Sequence, residues 1–238
     1  MLSLEAQNKW REAYRLTHPG WRPATEVFAE LVRQNLRPQS RLLDVGCGRG
    51  GLVEQLHHPL SQTTGIDPDF SSLLEHRLED FPRAVAVSDC LPFVDGVFDV
   101  VTASWLLEHL ADPIRTFRAI SRVLAPAGSF VFITPNKRHP LTVANRMAGR
   151  LGRWQGRLVD RLYGRAVEDT FATFYRANTV ADLNAICAAS GLRLATVSFV
   201  ADPSYIAFNR LFFQGMSAID ARLETERQIH IVGVARKR

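Results

Sequence analysis

The feature that most constrains this chain is a glycine cluster placed directly after a short apolar segment. Residues 41–45 (RLLDV) have the composition of a buried strand, and glycines occupy four of the next six positions. Glycine turns a chain sharply because it adopts positive φ at no steric cost. A helical pattern then runs to about His58. The segment therefore predicts the first strand–loop–helix unit of an α/β fold.

The same alternation continues along the chain. Strand patterns that are apolar on both faces alternate with helical periods, which predicts a parallel sheet covered by helices on both sides. The predicted strands are 41–45, 63–66, 84–87, 97–102, 129–133, 192–200 and 229–235, and the turn 126–128 precedes the fifth of them. The predicted helices are 26–36, a segment ending near 58, one through Leu73, Leu74 and Leu78, 113–124, and 180–190 with Thr179 and Gly191 as caps.

Two long segments interrupt this rhythm, one after the fifth strand and one between the last two strands. A chain of 238 residues fits one α/β domain, so we interpret these segments as insertions of a single domain. The predicted parts are a core (about 23–136, 179–200 and 227–238), an N-terminal lid (1–22) and two helical caps (137–178 and 201–226).

The glycine loop matches the pattern G-x-G-x-x-G of dinucleotide-binding turns. Gly46, Gly48 and Gly51 supply the glycines, and Asp67 follows at the distance where an acidic side chain binds ribose hydroxyls. NAD and S-adenosyl-L-methionine (SAM) are both candidates for such a loop. Asp44, two residues before the first glycine, favours SAM because its carboxylate would repel a pyrophosphate and attract a cationic ligand.

With its flanking segments, the loop resembles the class I SAM-dependent methyltransferases. The stretches that carry the resemblance are LLDVGCGRGG at 42–51, GID at 65–67, SDCLPF at 88–93, FDVV at 98–101 and LEHL at 107–110. The resemblance implies a Rossmann-like, mostly parallel seven-stranded sheet, with residues 229–236 as an antiparallel last strand beside the fifth. The alternatives are an NAD-dependent oxidoreductase and a non-catalytic regulator with a SAM-binding fold.

The resemblance also implies which residues bind the cofactor. Asp67 would bind both ribose hydroxyls, Asp89 the exocyclic amine of adenine, and Cys90 the adenine ring. The complete predicted set is Asp44, Gly46, Cys47, Gly48, Asp67, Pro68, Asp89, Cys90, Ser104 and Trp105.

Candidates for catalysis and acceptor binding follow the fourth and fifth strands. His109 is the candidate general base, since an imidazole with a pKa near 6.5 suits proton removal; an inert buried histidine is the alternative. Some relatives bind Mg²⁺ through Glu-x-x-Glu-His at this place, but Trp105 stands at the first glutamate position, so we expect no metal. His139, Tyr175 and Arg176 lie where relatives place acceptor contacts.

The positive charge is concentrated in one segment. The chain has 29 Lys and Arg against 24 Asp and Glu, and residues 137–165 alone hold eight cations and one anion. Arginines recur there every three or four residues beside an apolar face with Trp154. This pattern is typical of a helix that binds an anionic membrane surface or an amphipathic acceptor. A solvated helix face is the alternative. We therefore predict a largely apolar or amphipathic small acceptor, contact of 141–165 with an anionic membrane, and no nucleic acid.

The cysteines, the apolar runs and the first residues of the chain indicate where in the cell the protein is located. Three cysteines without metal-ligand spacing cannot build a disulfide framework, and no apolar run is long enough to span a bilayer. The first residues have neither a basic leader nor an apolar core. The expectation is a reduced, cytoplasmic protein.

Overall fold

The computed structural model describes residues 4–150 and 172–238. From the second helix onward the chain mostly alternates between strands and helices, as the hydrophobic pattern predicts. The helices are α1 (Leu4–Thr17), α2 (Ala24–Asn35), α3 (Val53–Leu56), α4 (Phe70–Leu74), α5 (Pro113–Val123), α6 (Pro140–Arg150), α7 (Val180–Ala189) and α8 (Arg210–Asp220). The strands are β1 (Leu42–Val45), β2 (Thr63–Asp67), β3 (Arg83–Val85), β4 (Phe98–Ser104), β5 (Leu124–Pro135), β6 (Leu192–Val200) and β7 (His230–Lys237).

These strands form one seven-stranded sheet in the order β3-β2-β1-β4-β5-β7-β6. Strand β1 pairs in parallel with β2 on one side and β4 on the other, so Asp44 is in register with Gly65 and with Thr102. The last strand, β7, lies between β5 and β6 and runs antiparallel. The predicted fold class and the predicted place of the last strand beside the fifth are both confirmed.

The chain divides into two compact units. The larger consists of Thr25–Thr134, Thr173–Ser198 and Val232–Arg238, and the smaller of Met1–Ala24, Pro135–Ala172 and Phe199–Ile231. The larger unit contains the glycine loop and most of the sheet. The boundaries of the core, lid and caps stay predictions of the sequence.

Aromatic and aliphatic side chains on both faces of the central strands fill the core of the larger unit. Phe117 of α5 meets Phe130 of β5 edge-on at 5.2 Å between ring centroids, and both are fully buried. A Cβ atom at Gly233 of β7 would lie 2.5 Å from the Phe132 ring, so the packing of that ring requires a glycine there. Burial on both faces is the arrangement that a parallel sheet between helices needs.

In the smaller unit, the N-terminal helix packs against residues far along the sequence. Arg11 of α1 forms an ion pair with the buried Asp202 at 2.7 Å, and the Trp21 indole donates to the carbonyl of Ala201 at 2.9 Å. Trp10 stacks on Phe213 of α8 at 4.8 Å between ring centroids. These contacts give the aromatic N-terminal segment a packing role within this unit.

Three local predictions differ from the structure. The predicted helix through Leu78 ends at Leu74, because Asp69 caps a short α4 and the backbone leaves the helix at Glu75. The helical pattern near residue 58 yields the single turn α3, which ends where His57 takes the left-handed conformation. The predicted turn 126–128 lies inside β5, where the pairing with β4 shifts register between Phe98 and Val100.

The arginines that recur every three or four residues from Arg146 to Arg165 lie mostly outside the described residues. Arg153, Arg157, Arg161 and Arg165 fall in 151–171, and of Arg150 only the backbone is described. Within residues 4–150 and 172–238, no helix combines the length and the apolar character that crossing a membrane requires.

Candidate functional site

The glycine loop starts where β1 ends, at the carboxyl edge of the sheet. The backbone N–H groups of Gly46 and Cys47 both donate to the carbonyl of Ile66, which ties the loop to the end of β2. Gly46 and Gly48 have φ values of +77° and +49°, a backbone conformation that residues with a Cβ rarely adopt. The loop can therefore turn back over the strand end and leave space beside it.

That space is a cavity of about 300 Å³ within the larger unit. The cavity brings together six of the ten predicted cofactor residues: Asp44, Gly46, Cys47, Gly48, Ser104 and Trp105. Its other lining residues are Thr25, Phe28, Arg49, Gly50, Gly51, Leu52 and Gln55. Sequence reasoning missed Thr25, Phe28 and Gln55, since contacts between distant helices leave no local pattern.

Asp44 is the buried charge of this cavity. Its side chain accepts a hydrogen bond of 2.9 Å from the Thr102 hydroxyl on the neighbouring strand. Burial above all, together with the negative charges of Glu54 and Asp67, raises the pKa of Asp44 to about 6, against the hydrogen bond from Thr102, which lowers it. A buried carboxylate in such surroundings is stabilised by a cation that enters the cavity.

Cys47 lies beside Asp44 in the same wall. Burial first, and then the charges of Asp44 and Asp67, raise the pKa of the Cys47 thiol to about 12. Reactive cysteines are those with a lowered pKa. Cys47 therefore acts as a small, neutral packing side chain.

Asp67 closes the loop from the end of β2. One carboxylate oxygen accepts from the Gly48 N–H at 3.0 Å and the other from the Asp69 N–H at 2.9 Å. A Cβ at Gly48 would lie 3.9 Å from the first of these oxygens, which is an ordinary van der Waals contact, so the positive φ and not crowding requires the glycine. Pro68 follows on the exposed side of the turn.

Asp89 and Cys90 lie in the loop after β3. Asp89 forms an ion pair with Arg115 at 3.2 Å, and about a third of its side chain is exposed. The Cys90 thiol is exposed. Neither residue lines the 300 Å³ cavity, so their predicted contact with adenine stays a prediction.

Glu108, which the sequence analysis did not single out, is the centre of a buried network after β4. Its carboxylate accepts from the Thr134 hydroxyl at 3.0 Å, and that hydroxyl accepts from the Asn178 amide at 2.6 Å. Burial raises the pKa of Glu108 to about 7. Its other carboxylate oxygen lies 3.9 Å from Nε2 of His109, whose side chain is 29% exposed.

The same network positions two predicted acceptor residues. The backbone N–H groups of Phe174 and Tyr175 donate to the carbonyl of Glu108 at 2.7 and 3.1 Å. Arg176 bonds the carbonyl of Ala111, with its guanidinium 5.5 Å from the centre of the Phe174 ring. The structure thus brings Tyr175 and Arg176 to the turn that carries His109.

His139 does not fit an acceptor contact. The side chain is fully buried in the smaller unit, where Nε2 bonds Asp220 at 3.2 Å and Nδ1 accepts from the Leu141 N–H at 3.2 Å. Both ring nitrogens are engaged, and no part of the ring faces solvent. We therefore correct the expectation for His139 to a structural role.

The cavity suits SAM better than a metal. Asp44 supplies a buried anion for a cationic ligand, and the four glycines keep the loop side of the wall free of side chains at their positions. Among the residues that the structure describes, no group of three His, Cys, Asp or Glu side chains is arranged to hold a metal ion.

Comparison with known proteins agrees with this geometry. A family profile described as "Methyltransferase domain" matches residues 18–197. The ubiquinone biosynthesis O-methyltransferase of Chromobacterium violaceum is 38% identical over 104 residues, which are 41% of this chain and 45% of the relative. The enzyme of the same name from Bordetella bronchiseptica is 39% identical over 107 residues, 42% of this chain and 44% of the relative. The chain thus matches less than half the length of these relatives.

Among solved structures, the SAM-dependent methyltransferase from Mesorhizobium loti is similar, with a TM-score of 0.60 and 21% identity. The match covers 90% of this chain and 100% of that one. The fold is accordingly that of the SAM-dependent methyltransferases. Because the family profile spans well over half of the sequence, the chain belongs to the methyltransferase-domain family.

Proposed function

We propose that the protein is a SAM-dependent methyltransferase that transfers a methyl group to a hydroxyl oxygen of a small, largely apolar acceptor. The observation that carries the proposal is the buried carboxylate of Asp44 in the wall of the glycine-lined cavity. A cationic ligand balances this charge, whereas the pyrophosphate of NAD would be repelled by it. Membership of the methyltransferase family supports the same choice.

The chain's own residues divide the work of binding. Asp44 would hold the positively charged part of SAM, Asp67 the ribose hydroxyls, and Asp89 with Cys90 the adenine. Trp105, with a φ of +55°, lines the cavity at the end of β4 and would keep water away from the reacting atoms. When bound, SAM supplies an electrophilic methyl group on a sulfonium.

His109 is the proposed general base. It is partly exposed on the turn that follows Trp105. Its neighbour Glu108 accepts a hydrogen bond from the backbone N–H of Tyr175. An acceptor hydroxyl keeps its proton at neutral pH, so a base that removes it speeds the transfer. Tyr175 and Arg176 would contact the acceptor, and a guanidinium suits an acidic group on it.

Two observations favour this acceptor class. The curated relatives are named ubiquinone biosynthesis O-methyltransferases, which supports oxygen as the methylated atom. The basic segment 141–165 suits an amphipathic acceptor at an anionic membrane surface, and this contact is part of the proposal.

We propose the cytoplasm as the location, since all three cysteines are free thiols.

Calorimetry with SAM and with NADH tests the cofactor. We expect SAM to bind and NADH not to bind. Asp67→Ala should weaken SAM binding by about 1.5–3 kcal/mol, the worth of hydrogen bonds to a charged group. NADH binding with no response to SAM would favour an oxidoreductase, and wild-type affinity of Asp67→Ala would remove Asp67 from the ribose site.

The acceptor and the base are tested together. A mass-spectrometric screen of cell extract for molecules that gain one methyl group identifies the acceptor. On that acceptor, His109→Ala should lower kcat by about 10²-fold, as loss of a general base does. Wild-type turnover by this variant would exclude His109 from the mechanism, and SAM binding without any methylated product would favour a regulator.

A further inference from the structure

Helix α8 in the smaller unit presents an apolar face to solvent. Leu211 and Phe212 at its first turn are 77% and 52% exposed, and Ile219 near its end is 45% exposed. Phe208, just before the helix, is 45% exposed and meets Phe212 edge-on at 6.1 Å between ring centroids. Single exposed apolar side chains are common, but four in one segment mark a binding surface.

Three of these side chains share one side of the helix. At 100° per residue, positions 211, 212 and 219 fall within about 100° of each other, and the Phe208 ring joins them through its contact with Phe212. Met216 and Asp220, on another side, are buried, so the packing of α8 in its unit is already satisfied without the exposed face. Among the residues that the structure describes, this packing does not use the exposed side chains.

Charge defines what this face fits. Arg210 and Arg222 lie exposed at the two ends of α8, while its single acidic residue, Asp220, is only 2% exposed. An apolar face on a helix that has a cation at each end and exposes no acidic side chain of its own complements a surface that is apolar inside and anionic at its rim. That is the charge arrangement of an anionic lipid bilayer.

Helix α6 of the same unit repeats this composition. Its residues include no Asp or Glu, and Val143 and Met147, one turn apart, are exposed beside Arg146. The buried His139–Asp220 pair joins the residue before α6 to the last residue of α8. The fully buried His139 thus has a structural role, because its pair with Asp220 connects the start of α6 to the end of α8. Both helices expose apolar side chains and no acidic ones.

We infer that α8 is a membrane-docking helix whose face of Phe208, Leu211, Phe212 and Ile219 enters the interfacial layer of an anionic bilayer. The inference rests on the proposed function in one respect: a membrane-bound enzyme meets an amphipathic acceptor where that acceptor is concentrated. The docking itself does not depend on which cofactor the cavity binds.

Flotation with lipid vesicles tests the docking on the full chain. We expect binding to vesicles of phosphatidylcholine with phosphatidylglycerol, and weaker binding to phosphatidylcholine alone or at high salt. The double variant Leu211→Ser with Phe212→Ser should lower partition into the mixed vesicles by at least about tenfold. Gln214→Ser, on the same helix but away from the face, is the matched control and should bind like the wild type.

Calorimetric SAM binding and circular dichroism show whether each variant is folded, and they test the cofactor separately from the membrane. Wild-type protein that ignores the mixed vesicles would overturn the inference, as would equal loss of binding in the Gln214 control. Sedimentation velocity tests whether a second copy of the chain occupies the face instead. A wild-type dimer that is absent in the double variant would assign the face to a second copy and overturn the membrane docking.

Discussion

Among single residues, Asp44 shows how a neighbouring strand prepares a charge for a ligand. Its register opposite Thr102 supplies one hydrogen bond, which offsets part of the cost of burying a carboxylate. The rest of that cost appears as the raised pKa of about 6. The group is thus poised between its two protonation states near neutral pH.

This pKa predicts how SAM binding depends on pH. Above pH 6 Asp44 is ionised and attracts the cationic ligand; below it, protonation removes the charge. If only the ionised form binds, SAM affinity should fall by about tenfold per pH unit below pH 6. Calorimetry between pH 5 and pH 7 measures this dependence, and Asp44→Asn should bind weakly and without the same slope.

The folding stability of the unliganded protein should show the opposite trend. A carboxyl whose folded-state pKa is raised stabilises the fold fully below its unfolded value of 3.8, and this contribution is lost as pH rises through about 6. A shift of this size corresponds to about 3 kcal/mol. Urea unfolding at pH 4 and pH 7 should therefore show a larger loss for the wild type than for Asp44→Asn.

At the level of elements, the glycines of the site have different tasks. Gly48 has a positive φ, but a Cβ there would make only an ordinary van der Waals contact, 3.9 Å from the Asp67 carboxylate. Gly65 in β2 has ordinary backbone angles, but a Cβ there would lie 2.5 Å from the Phe81 ring and 2.7 Å from the Cys47 sulfur. The first glycine allows the turn, and the second allows the strand, loop and ring to pack.

This difference predicts two kinds of damage. Gly65→Ala should lower the free energy of unfolding by about 1–3 kcal/mol, as overpacking a core does, and should shift the loop that Cys47 belongs to. Gly48→Ala should cost about 1 kcal/mol through backbone strain and act mainly on SAM binding. Urea unfolding and calorimetry on both variants separate the effects, and equal stability losses would contradict this assignment.

At the scale of the whole molecule, the smaller unit is held together by contacts across most of the sequence. Asp202 is buried, pairs with Arg11 of α1, and also accepts from the N–H of Ser204 at the start of a short 3-10 turn. One carboxylate thus joins the N-terminal helix to the segment after β6.

Removal of this carboxylate should destabilise the unit strongly. Asp202→Ala leaves Arg11 without its partner, and breaking a buried pair costs about 3 kcal/mol or more. Hydrogen exchange of the α1 amides should accelerate with the loss of stability. Glu30→Ala, which removes an exposed pair with Arg33, is the control and should cost less than about 1 kcal/mol. Equal effects of the two variants would contradict a buried role for Asp202.

Local patterns were enough to predict the alternating strands and helices, the glycine loop and the acidic residues at the strand ends. Gly46, Gly48 and Asp44 were identifiable because a tight turn and a charge beside it are properties of neighbouring residues. Asp67 was identifiable because parallel strands end at one edge, so spacing along the chain predicts proximity in space. The place of β7 beside β5 followed from the family resemblance.

Tertiary structure decided what each polar side chain does. His139 and His109 look alike in sequence, yet one is fully buried against Asp220 and the other is partly exposed beside Glu108. The buried role of Glu108 could not be read from the stretch LEHL that contains it, because its network with Thr134 and Asn178 joins positions that are far apart along the chain. The exposed face of α8 has the same helical period as a buried one, since periodicity predicts an apolar side but not whether another element covers it. Local sequence determines backbone shape and charge, whereas burial and partners depend on long-range packing.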